Sequence, residues 1–73
     1  MAQKRVTIIV TYKGYTYKSA ERTVDESDFN ILTDIIEGVA KGNAEYLKIE
    51  NGEKMYYFSN YILKRSIVEL VVL

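Results

Sequence analysis

Cysteine, histidine, tryptophan and proline are all missing from this chain of 73 residues. Without cysteine there is no disulfide framework, and without cysteine or histidine the commonest zinc ligands are gone. The same absences remove the usual general base, the most reactive nucleophile and any serine–histidine pair. No glycine–serine linker, repeat or low-complexity tract divides the chain, so a single domain over residues 1–73 is expected. Net charge is lacking as well: ten basic and ten acidic residues cancel, which argues against a general binder of polyanions. No apolar run approaches the ~20 residues that span a bilayer. Met1–Arg5 is charged and Thr7 interrupts Val6–Val10, so no signal peptide is read. The expectation is a cytoplasmic protein with no membrane partner.

What is present is a hydrophobic fraction of 48%, ample for folding. A chain this short buries only ~60% of its unfolded surface. With disulfides and zinc set aside, association with another chain is the remaining way to add stability.

Lys4–Tyr12 alternates, with Val6, Ile8, Val10 and Tyr12 on one face and Thr7, Ile9 and Thr11 on the other. That period of two predicts a half-buried strand. Lys13-Gly14 reads as a tight turn, returning as a second strand over Tyr15–Thr23, with Tyr12 facing Tyr15 and Val10 facing Tyr17. Asp25–Lys41 reads as a helix. Asp25 caps it, Glu26 and Asp28 suit its positive end, and Gly42-Asn43 stops it. Phe29, Leu32, Ile35, Ile36 and Val39 form its apolar stripe, expected to lie on Val6, Ile8 and Val10. Asn51-Gly52 is a strong hairpin signal between Ala44–Glu50 and Glu53–Phe58, placing Leu47 opposite Tyr56. Ser59–Lys64 reads as a turn or one helical turn, and Ser66–Leu73 as the last strand, broken only by Glu69. The predicted fold is α+β, in the order ββαβββ, a mostly antiparallel sheet with one helix on one face.

Catalytic, metal and cofactor chemistry find no support in the residues. Asp25, Glu26 and Asp28 sit where a helix start wants acid. They also lack the glycine and terminal glutamate of a calcium loop. Gly14, Gly38, Gly42 and Gly52 are isolated, and none opens a helix in a phosphate-binding pattern. The expectation is a protein that is not an enzyme, with no catalytic residue, no metal and no cofactor.

Two features point to contacts. The first is seven tyrosines against two phenylalanines; tyrosine suits surfaces that are wet alone and dry in a complex. The second is a sheet that is apolar on both sides. With Val6, Ile8, Val10, Leu47, Ile49, Tyr56, Val68, Leu70 and Val72 turned inward, Ile9, Tyr46, Met55, Tyr57, Ile67, Val71 and Leu73 point the other way. They form the candidate protein-contact set, read as one contiguous patch. The expected partner is a second copy of the chain, most simply in a two-fold dimer, or another protein. The dimer is expected on the sheet face or edge that includes the final strand, whose end lacks the charge or proline that blunts a free edge.

Charge is segregated: residues 1–24 carry a net +4, residues 25–53 a net −6 and residues 54–73 a net +2. Lys13, Lys18 and Arg22 with Tyr15 therefore form an alternative, nucleic-acid-binding candidate, since basic strands bearing aromatics can stack single-stranded bases.

The size, the cysteine-free strand–helix–strand layout and the closing phrase Leu63-Lys-Arg-Ser-Ile-Val-Glu-Leu70 resemble the small orphan proteins of Gram-positive bacteria and their phages. That resemblance implies an accessory role, such as modulating a host or phage protein by binding, in the host cytoplasm if phage-encoded. It transfers no functional residue.

Overall fold

A computed structural model describes residues 3–73. Its elements run β1 (Gln3–Tyr12), β2 (Tyr15–Lys18), β3 (Arg22–Asp25), α1 (Glu26–Ala40), β4 (Tyr46–Asn51), β5 (Lys54–Ser59), α2 (Asn60–Leu63) and β6 (Ile67–Val72). All strand pairs are antiparallel, and the fold is α+β as expected.

The long strand β1 is the spine of the first sheet. Its C-terminal half pairs with β2 and its N-terminal end with β3, while β6 lies along its other edge. The first hairpin has the expected register, Tyr12 opposite Tyr15 and Val10 opposite Tyr17. Both turn residues, Lys13 (φ 51°) and Gly14 (φ 82°), adopt the left-handed conformation of a type I′ turn.

The second strand, read from sequence as one piece over Tyr15–Thr23, breaks at Ser19–Glu21. There the Ser19 hydroxyl oxygen accepts the Ile8 N–H at 2.8 Å, and Ser19 N–H donates to the Ile8 carbonyl at 2.8 Å. A side chain thus satisfies a backbone group where the ladder pauses.

The helix is capped as its sequence predicts, the Asp25 carboxylate accepting Asp28 N–H at 2.8 Å. Gly42 (φ 77°) ends it, with Gly42 N–H reaching the Val39 carbonyl and Asn43 N–H the Gly38 carbonyl. Those two bonds are the Schellman pattern. Of the predicted helix stripe, Val39 is buried and Phe29, Leu32 and Ile36 are half-buried. Ile35 is exposed instead, because a helix lying on one sheet covers only its lower side.

The β4–β5 hairpin forms a separate two-stranded sheet. Leu47 opposes Phe58 and Ile49 opposes Tyr56, not Leu47 Tyr56. The turn is Gly52-Glu53, and Asn51 stays in the strand. Moving the turn by one residue moves each partner by two, from Tyr56 to Phe58 opposite Leu47. An even shift preserves the faces, so the inward set survives the slip.

That hairpin does not extend the first sheet; it folds over it. Val10, Val39, Leu47, Ile49, Phe58 and Leu63 make one buried cluster, with Ile8, Tyr17, Tyr56 and Val68 packed against it. Tyr17 meets Tyr56 and Phe58 with ring centroids 5.3 and 5.4 Å apart. The inner face of β1 is therefore shared: α1 lies over β6, β3 and β1, and the second hairpin closes over Val10.

Candidate functional site

The antiparallel register fixes which side chains share a face, since directly opposed residues point the same way. On the outer face of the first sheet, Ile9 lies between Lys18 and Glu69, Thr11 between Thr16 and Ile67, and Thr7 opposes Val71. Ile9 and Val71 are half-buried, whereas Ile67 is 65% exposed. Leu73 continues that face, its N–H donating to the Arg5 carbonyl at 2.8 Å.

Tyr46, Met55 and Tyr57 occupy the outer face of the second sheet, all exposed, with the Tyr57 hydroxyl 3.9 Å from the Met55 sulfur. Lys48 opposes Tyr57, and its ammonium lies 3.5 Å from the Glu50 carboxylate. Because the inner faces of the two sheets pack on each other, these outer faces point away from one another. The expected single patch is two separate surfaces. Alternation assigns each residue a face, but nothing in it says that β4–β5 folds over the first sheet.

The fold-over is fixed by two hydrogen bonds at the corner between the sheets. Ala20 N–H donates to the Glu50 carbonyl at 2.8 Å, and the Asn51 side-chain amide donates to the Lys18 carbonyl at 3.0 Å. Beside this corner is a cleft of about 460 Å³ with Ile8 and Ile49 among its walls and Arg22, Lys48 and Glu50 also lining it. Ser19 lines it too, but its hydroxyl is occupied with Ile8, Thr7 and Ala20. A second cleft of about 470 Å³ lies between the C-terminal ends of the two helices, bordered by Lys41 and Lys64. Among the described residues no group of three acidic side chains converges as a metal would need.

The nucleic-acid set is dispersed. Lys18 shares the outer face with Ile9, whereas Arg22 opposes Val6 on the inner face and lines the corner cleft. Tyr15 and Lys13 are exposed at the hairpin tip, with the Lys13 ammonium 5.5 Å from the Tyr12 ring centroid. Successive strand residues alternate sides, so a cluster in sequence is not a cluster in space.

Sequence reasoning missed two exposed features. Ile31 and Ile35, one turn apart on α1, are 56% and 45% exposed; their i,i+4 spacing was the available signal. Tyr61 is also exposed and carries the Arg65 guanidinium 3.7 Å over its ring. The edge of the last strand, read from sequence as a candidate contact, lies free along β6. Leu73 N–H reaches back to Arg5, one residue outside the Val6–Val72 pair. That makes Val6–Val72 a non-hydrogen-bonded pair. Val68, Leu70 and Val72 therefore turn their N–H and C=O groups away from β1, and among the described residues no hydrogen-bond partner meets them.

Among the described residues no helix is long and apolar enough to cross a membrane. No protein-family model, curated protein or solved structure matches the chain.

Proposed function

We propose that this protein is a non-enzymatic contact module that works by associating with itself and, through its outer sheet surfaces, with other proteins. The observation that carries the reading is the amount of large apolar side chain left uncovered. Tyr46, Met55, Tyr57, Ile67, Val72 and Leu73 are each more than half exposed in a chain this short. Single exposed apolar residues are ordinary, but sets gathered on defined faces mark contact surfaces. Tyrosine and methionine are also the residues enriched where proteins meet. An accessory role, modulating a bacterial or phage protein by binding, fits such a module. The test is the solution mass by sedimentation equilibrium through the micromolar range. The expected result is the mass of two chains; a single-chain mass throughout overturns self-association.

A further inference from the structure

We infer that the second copy pairs with the first along the free edge of β6, antiparallel about a two-fold axis, with Leu70 opposite Leu70 of the second copy. This rests on the self-association proposed above and names the surface and register.

The argument starts from hydrogen-bonding direction. Val68, Leu70 and Val72 aim their backbone groups outward, and an antiparallel copy presents the same row. A free edge of this kind is a template for another strand, and β6 carries no proline and only one charge to blunt it.

Register follows from three constraints. Inner-face residues must meet inner-face residues, which removes every odd slip. Centring on Glu69 sets two carboxylates directly opposite each other, which is unfavourable. It also asks Ser66 to pair outward, while Ser66 N–H is already bonded to the Leu63 carbonyl and its hydroxyl to the Ile62 carbonyl. Centring on Val71 brings only Leu70 and Val72 into outward pairs within β6 and leaves Val68 outside the ladder, since the strand spans Ile67–Val72. Centring on Leu70 uses all three outward residues and opposes Val68 to Val72 of the second copy.

Side chains agree with that choice. The row Val10–Val68 continues into Val72 and Val6 of the second copy, and Ile8–Leu70 meets its own image. The inner face becomes aliphatic without a break across the seam. This accounts for Val72, which is 51% exposed although it opposes Val6 at 2%: among the described residues no strand lies beyond the edge. On the outer face Ile67 meets Leu73 of the second copy, two of the most exposed aliphatic residues.

The experiment uses single cysteines, unambiguous in a chain that has none. Paired residues at a hydrogen-bonded antiparallel site lie ~5.5 Å apart at Cα, within the ~4.4–6.8 Å span of a disulfide. Under mild oxidation Leu70→Cys should cross-link to itself. Ile67→Cys and Leu73→Cys should each resist alone and link when mixed. Self-linking of Glu69→Cys in place of Leu70→Cys overturns the register. Val72→Pro removes an outward N–H without touching the β1 ladder, and should weaken association about tenfold to a hundredfold, with Val72→Thr close to wild type. A two-chain mass unaffected by Val72→Pro, with no cross-link at these positions, overturns the edge while leaving self-association standing. A single-chain wild type overturns both.

Discussion

The two hairpins begin from the same kind of signal, a glycine-containing pair between alternating strands, and the fold treats them differently. At Lys13-Gly14 the turn falls where the sequence predicts, both residues at positive φ. At Asn51-Gly52 it moves one residue on. Asn51 remains paired with Lys54, and of the two turn residues only Gly52 (φ 62°) has positive φ. Glycine at the first turn position matches type II′ instead of I′. The difference lies in what each hairpin touches. The tip of the first is free, so local preference decides. Asn51 is held by its side-chain bond to Lys18 at the corner between the sheets, and that tertiary contact outweighs the preference for an Asn-Gly turn.

The largest test of this contrast concerns burial. Phe58 is 6% exposed at the junction of both sheets, against Tyr17. Phe58→Ala should cost ~3–5 kcal/mol. At ~4–8 °C per kcal/mol for a domain of this size, the melting temperature should fall by more than ~10 °C. Tyr15→Ala, at the tip of the other hairpin, should stay within ~0.5 kcal/mol. Scanning calorimetry at one fixed protein concentration compares them. Equal losses would show that the hairpins do not differ in this way.

Much of the fold was legible because its signals are short-range. The first hairpin register, the Asp25 cap, the Gly42 stop and the inward set from Val6 to Val72 follow from periodicity and from glycine's backbone freedom. The break at Ser19–Glu21 was hidden because a serine side chain completes the ladder, and serine is unremarkable in sequence. The candidate surface was legible residue by residue but not as a shape. Ile9 and Tyr57 do face outward, each from its own sheet, yet the fold-over separating them depends on Ala20 and Asn51 reaching partners 30 or more positions away. The edge of the last strand was legible from an apolar run with one charge and no proline. Which of its residues turn their backbone groups outward was not, because that depends on the pairing with β1.

A middle-sized effect should come from Asn51 itself. Its amide donates to the Lys18 carbonyl, so Asn51→Asp replaces a donor with an acceptor facing another acceptor. The loss should be ~1 kcal/mol, about one hydrogen bond, seen as a lower urea midpoint with unchanged slope. Asn51→Gln, which keeps the amide donor, should recover part of it. Wild-type stability in Asn51→Asp would show that this bond does not hold the turn in its shifted place.

The smallest effect separates the two turns most directly. Among the described non-glycine residues only Lys13 has positive φ, at 51°, a conformation that costs an ordinary side chain ~1 kcal/mol and that asparagine tolerates. Against relief of that strain stands the loss of the lysine ammonium from the Tyr12 ring, an exposed contact worth ~0.5 kcal/mol. Lys13→Asn should therefore stabilise the protein by only a few tenths of a kcal/mol, the strain outweighing the lost contact. The matching change in the second hairpin is Glu53→Asn, at the second turn position, where φ is not positive. With no strain to relieve, it should leave stability unchanged. Equilibrium urea unfolding of both variants beside the wild type decides it. A gain at Glu53 equal to that at Lys13 would mean that the two turns share one conformational preference, and that the shift at Asn51 has another cause.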